Sequence, residues 1–192
     1  MKDAFVRGGP VSDTVAFLDV YQTGLLARVE AQIGRETLKS ITSHGRMSWI
    51  PLEDDVVLVE GIAAVLGAAE LVRFFRSSIA HHFQGKLLRT LISGAERLFG
   101  LTPHVLVKLV PRAWPMVYKN LGEPTIERRT DTLAVVHVTE AHPILLDSAD
   151  YLRTWQGIFE GVVAAGGAEA DRVQVDTCPF PAEARVEMHL HW

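Results

Sequence analysis

The sequence predicts an α+β domain in which N-terminal helices are followed by a β-β-α-β-β antiparallel sheet unit. Two observations predict it. From about residue 12 to residue 121 apolar residues recur at the spacing of helices, and from residue 122 the period switches to strict alternation, interrupted by one amphipathic helix. Strands joined by short turns pair antiparallel, and helices segregated from strands along the chain mark the α+β class. The chain is expected to be a single domain over 1–192, with a mainly helical half at 12–121 and a sheet half at 122–192.

Ser12 or Asp13 is a candidate cap for a first helix carrying Phe17, Leu18, Tyr21, Leu25 and Val29, with Gly34 as its stop. Glu36 to Ile41 reads as a short helix. "MSWIPLEDD" then breaks the pattern: Pro51 biases Ile50 towards extended geometry, and Glu53, Asp54 and Asp55 sit where a helix N-terminus favours negative charge. Helix follows through Val56, Val59, Ala63 and Leu66. The stretch 70–99 is the most strongly patterned, with Leu71, Val72, Phe75, Ile79 and Phe83 continued by Leu87, Leu88, Leu91, Ile92, Ala95, Leu98 and Phe99. Gly85 is a candidate bend. Thr102 and Pro103 start a further helix, and Pro111 and Pro115 limit its length.

In the second half, 124–129 and 132–139 read as two strands with Thr130-Asp131 as a tight turn. The segment 148–165 reads as a helix with Leu152, Trp155, Ile158, Phe159 and Val162 on one side, stopped at Gly166-Gly167. "DRVQVDTC" and "ARVEMHLHW" alternate strictly and form the last hairpin. Matching their apolar faces sets Val175 opposite Val186 and Asp176 opposite Arg185.

Composition excludes several functions. Apolar residues make up 48% of the chain and charged residues 22%, which is globular. Net charge is −4 with no Lys/Arg run longer than two, so no nucleic-acid partner is expected. The start lacks the apolar core of a signal peptide. The longest apolar stretch, 61–69, falls short of the ~20 residues of a membrane helix, so no membrane span is expected. A single cysteine, Cys178, precludes an intrachain disulfide and suits a reducing compartment. A cytoplasmic protein is the expectation.

Cys178 and the H-x-H pair His189/His191 suggest a ligand set. In the register above, however, the cysteine and His189 lie roughly 20 Å apart at strand rise, too far to share an ion. His81 and His82 are adjacent on a helix and diverge by about 100°; His82 borders the apolar stripe and His81 points away. His104 lies near a helix start, and His137 shares a strand face with Leu133 and Val135, either buried or on the rim of a pocket. No metal site is expected. G-x-S-x-G, G-x-x-x-x-G-K-[ST], H-E-x-x-H and C-x-x-C are all missing, so the chain is expected not to be an enzyme. The large apolar groups fill a core, line an apolar cavity, or bury a dimer face. Phe75, Ile79, His82, Phe83, His104, Trp114, His137, Trp155 and Phe159 are the pocket candidates.

In order along the chain, "FVRGG", "SWIPL", "TPHVLVKLVPRAWPMVYKNLGE", "GIFEGVVAAGGAE" and the closing "TC…MHLHW" resemble a paralogous family abundant in myxobacteria, often called the DUF2378 family. That family is similar to a superfamily of haem-NO-binding domains, vinyl-reductase-like domains and the small subunits of the TRAPP trafficking complex. The resemblance implies a ligand-sensing or scaffolding domain, commonly a homodimer, with an apolar pocket between helices and sheet. Two departures matter. Relatives carry a second cysteine where this chain has "PFPAEAR", so a paired-cysteine role is absent. Haem-binding relatives use a proximal histidine plus Tyr-x-Ser-x-Arg. His104 lies in a comparable region, yet no such motif occurs. The expectation is a non-enzymatic sensing or scaffold domain of a bacterial regulatory system, binding an apolar small molecule or a protein partner without a cofactor. The alternative is a haem or metal sensor using His104, His82 or His189/His191.

Overall fold

The structure, a computed structural model, describes residues 2–84, 93–94, 96–97, 100–169 and 172–192. The expected stripe from Leu87 to Phe99 and the bend at Gly85 lie outside the described residues, as does the side chain of Phe83. The class is as predicted: N-terminal helices and antiparallel sheets.

The first expected helix is two. Strand β1 (Phe5–Arg7) leads directly into α1 (Gly8–Tyr21), and α2 (Leu25–Ile33) restarts after Gly24, whose φ of 80° breaks the ladder. Asp13 does not cap; it lies inside α1 and holds Arg46 at 2.8 Å. The early start is possible because Gly8 and Gly9 donate their N–H groups to the carbonyls of Ser48 and Arg46, and a Cβ on Gly8 would meet the Gly45 oxygen at 2.5 Å. Helix α3 (Arg35–Thr42) then precedes β2 (Trp49–Pro51) and α4 (Leu52–Leu66), with the acidic run in its first turn as expected.

Helix α5 (Ala68–Gln84) carries the apolar stripe. Thr102 caps α6 (Pro103–Lys108) by accepting from the Val105 N–H, and the helix expected here is divided again, α7 (Val110–Val117) following after Leu109. Strand β3 (Tyr118–Lys119) joins β1 and β2 in a small sheet of order β2-β1-β3. Strands of two or three residues contain no period to read, which is why this sheet escaped prediction.

The second sheet contains β4 (Glu123–Arg128), β5 (Leu133–Thr139), β6 (Gln174–Phe180) and β7 (Arg185–His191) in the order β4-β5-β7-β6, all antiparallel. Between its hairpins run a short α8 (Pro143–Asp147) and α9 (Ala149–Ala165), capped by Ser148. Ala134, Val136, Val138, Val175, Val186, Met188 and Leu190 form the buried face.

The last hairpin corrects the expected register. Val175 faces Leu190 and Asp176 faces His189, four residues further along β7 than apolar matching placed them. The strands run on to Phe180 and Arg185, and the turn is the short 3-10 segment Pro181–Glu183 with Ala184 left-handed at φ 46°. β6 is an edge strand, where Pro179 is tolerated without an N–H. An even slip keeps every side chain on its assigned face. It does, however, bring Cys178 opposite Glu187, diagonal to His189. The argument from a separation of roughly 20 Å therefore fails. Among the described residues no group of three or more His, Cys, Asp or Glu is placed to hold a metal ion.

Candidate functional site

Helix α9 is wedged between α5 and the four-stranded sheet, and glycine makes the first of these contacts possible. A Cβ on Gly157 would meet the Val72 carbonyl oxygen at 2.4 Å, and one on Gly161 would meet the Arg76 oxygen and the Ile79 side chain at 2.6 Å. The two backbones are therefore in contact. Beside this seam the large side chains of α5 and α9 turn towards α1, α4, α6 and α7 and leave a cavity of about 180 Å³.

Its wall is mostly aliphatic and aromatic, including Val11, Val59, Phe75, Ile79, Leu106, Val110, Trp114, Trp155, Ile158 and Phe159. The pocket implied by the resemblance lay between helices and sheet. Here the four-stranded sheet contributes no lining residue, because α9 intervenes, and only Val6 and Tyr118 come from the small sheet.

Polar groups gather at two places. On one side the Tyr151 hydroxyl donates to Asp55 Oδ2 at 2.7 Å. Burial, opposed by that hydrogen bond, pushes the Asp55 carboxyl up to about 6. Burial, reinforced by the charge of Asp55, drives the Tyr118 and Tyr151 hydroxyls upward, so both stay protonated. Trp155 packs edge-on against Trp114 with ring centres 4.6 Å apart, and Trp114 Nε1 donates to the Gly122 carbonyl at 2.9 Å.

On the other side are Asp13, Thr14 and His82. Burial pulls His82 down to about 4, against the opposing charge of Asp13, so the imidazole is neutral at pH 7. Its Nε2 is buried and finds no partner among the described residues. The neighbouring His81 does not simply point away, since its ring packs 5.6 Å from that of Phe17.

Six of the nine candidates therefore meet at one cavity: Phe75, Ile79, His82, Trp114, Trp155 and Phe159. His104 does not line it; its ring stands edge-on to Trp192 at 5.0 Å, and Nε2 is buried with no partner among the described residues. His137 is also elsewhere. It lies on the outer face of the sheet between Glu127 and Glu187, at 3.2 and 3.3 Å, with Glu187 also reaching His189 at 3.1 Å. The alternation of β5 assigned it this face correctly, but there it is half-buried among ion pairs and does not reach the cavity. Sequence reasoning missed Asp55, Tyr118 and Tyr151. Asp55 was visible only as a helix-start residue, and its position one turn into α4 was the available signal, because that turn faces the core through Leu52, Leu58 and Val59.

Comparisons with known proteins place the fold. No family model matches the chain, and no curated protein matches it. Solved structures do. The Fe(II) unliganded H-NOX protein from K. algicida is 11% identical, with 96% of this chain and 95% of that one covered and a TM-score of 0.55. An oxygen-binding H-NOX domain related to soluble guanylate cyclases, in its oxygen complex, is 11% identical over 96% of this chain and 92% of that one, with a TM-score of 0.57. A structure described for modulation of haem redox potential through porphyrin distortion is 12% identical, over 97% and 99%, with a TM-score of 0.58. The chain thus has the fold of haem-NO-binding domains.

The residues present do not fit haem. An apolar cavity of ~150 Å³ takes benzene; about 180 Å³ does not take a tetrapyrrole. Among the described residues the charged groups on the wall are Asp13 and Asp55, and no Lys or Arg lines it to hold a propionate. His82 Nε2 is an imidazole nitrogen on the wall with no partner among the described residues, whereas His104 packs on Trp192.

Proposed function

We propose that the chain is a non-enzymatic sensor domain that takes a small, mainly apolar ligand into the cavity between α1, α4, α5, α7 and α9. One observation carries this reading: an apolar cavity of about 180 Å³ bordered by the Asp55–Tyr151 hydrogen bond and by His82 Nε2, which has no partner among the described residues. Apolar walls with a few polar groups that fix orientation are the usual make-up of a ligand site. In keeping with the resemblance, the domain acts in the cytoplasm as a homodimer in a regulatory system, and its bound state is read by a partner. No helix among the described residues is long and apolar enough to cross a membrane.

Native mass spectrometry and solvent extraction of the purified protein test the reading. Added mass, or an extract that binds back and raises the melting temperature, is expected. A protein with nothing extractable and no response to benzene-sized probes overturns it and leaves a scaffold role. Light scattering reads the dimer directly.

The second reading is a haem sensor. At the level of fold the H-NOX neighbours favour it over any other ligand, and His82 supplies a nitrogen on the cavity wall. It requires the cavity to open and the propionates to find cations outside the present lining. Titration with hemin decides it: a saturable Soret band lost in His82→Ala supports haem, and an unshifted spectrum ends it.

A further inference from the structure

Asp55 is a carboxylate without a cation among the described residues. The other acid on the cavity wall, Asp13, is neutralised by Arg46 at 2.8 Å, and Asp55 forms no ion pair among the described residues. Its Oδ2 accepts from Tyr151, and its Oδ1 accepts no hydrogen bond among the described residues. Around it stands a contiguous group of four aromatic rings. Trp114 lies 4.8 Å from Tyr118 and 4.6 Å from Trp155, and Trp155 lies 5.9 Å from Tyr118 and 6.4 Å from Tyr151, centre to centre. All four line the cavity.

An enclosed carboxylate is stabilised by a cation or a hydrogen-bond donor, and the negative faces of indole and phenol rings favour the same partner. A bare metal ion is a poor occupant, because hard cations need several oxygen ligands to replace their water, and among the described residues no group of three or more His, Cys, Asp or Glu is placed to hold one. A protonated amine needs one good acceptor, gains from the rings, and brings an apolar body for the remaining space. We infer that the cavity is selective for small organic ammonium ions, with Asp55 accepting the ammonium N–H, the rings of Trp114, Tyr118 and Trp155 flanking the charge, and an apolar body no larger than about a benzene ring lying towards Phe75 and Ile79. The inference rests on the reading of the cavity as a ligand site and adds the class of ligand.

The test compares 2-phenylethylamine, cationic at pH 8, with the neutral 2-phenylethanol by isothermal titration calorimetry on the full chain. At that pH Asp55 is ionised, since burial raises it only to about 6. The amine is expected to bind about tenfold tighter or more, and Asp55→Asn is expected to bring the two ligands to equal affinity. Tyr151→Phe, which keeps the carboxylate, is expected to preserve the preference. Equal affinities in the wild-type chain, or a preference that survives Asp55→Asn, overturn the inference while leaving the cavity a ligand site. Binding of neither ligand overturns the inference and the ligand-site reading together.

Discussion

The Tyr151 hydroxyl donates to Asp55 Oδ2 at 2.7 Å, tying the first turn of α9 to the first turn of α4 across ninety-six residues of chain. The bond fixes two walls of the cavity against each other, and it holds a carboxylate where burial opposes its charge. The stability of the domain therefore depends on pH through this pair.

Asp55→Asn keeps an acceptor for Tyr151 and removes the ionisation. Burial raises the folded Asp55 carboxyl to about 6 from an ordinary 3.8. Its stabilising contribution is thus fully present below the unfolded value and is lost as pH rises through the folded one. The variant is expected to exceed the wild type by about 1–2 kcal/mol at pH 8 and to lose that advantage near pH 4. Urea denaturation at the two pH values measures it; an advantage independent of pH would contradict the assignment.

His82 works in the opposite sense. Burial lowers the folded imidazole to about 4 from 6.5. The unfolded chain then binds the proton more readily, and stability falls as pH drops from 6.5 towards 4. In the wild type this loss is about as large as the gain from Asp55 over an overlapping range and offsets it. His82→Gln is expected to unmask that gain, so its stability relative to the wild type rises between pH 6.5 and pH 4. A flat difference across a pH series of chemical melts would refute this.

Gly161→Ala is expected to destabilise the fold by about 2–4 kcal/mol. The added Cβ meets the Arg76 carbonyl oxygen and the Ile79 side chain at 2.6 Å, so one backbone must shift to admit it. Thermal unfolding followed by circular dichroism reads the loss. A melting temperature within a degree of wild type would mean that α5 and α9 are not in close contact.

Ala113→Leu extends a side chain on α7 into the cavity. Filling space of this kind leaves stability unchanged or raises it by about 1 kcal/mol, while binding of a benzene-sized probe is expected to disappear. Retained binding would place the ligand elsewhere.

Much of the fold was legible because long elements announce their period. The stripe of α5, the helix 148–165 and the alternation of β4, β5 and β7 were all readable, and Ser148 and Thr102 cap the helices that follow them. The small sheet was not, since β3 is only two residues long. The register of the last hairpin went wrong for a related reason. Alternation decides which face a residue takes but is blind to an even slip, and Pro179 read as a turn when it sits in an edge strand. At the site, the bulky residues Phe75, Trp114 and Trp155 were found because size and helical face point inward. Asp55 was hidden because an acid in a first turn ordinarily needs no further explanation. His104 and His137 drew attention as imidazoles, a chemistry that residue identity suggests and only the surroundings decide.

Helix α9 carries one further implication. Its Trp155 and Phe159 belong to the cavity wall, and Glu160 on the same helix is buried, held by Gln156 at 3.1 Å and by Arg76 at 3.6 Å. The helix lies on the strands whose outer face carries His137, Glu187 and His189. Its backbone lies against that of α5 at Gly157 and Gly161. Chamber wall and keel of the strands are thus two sides of one rod, so a change at Gly157 or Gly161 reaches both at once.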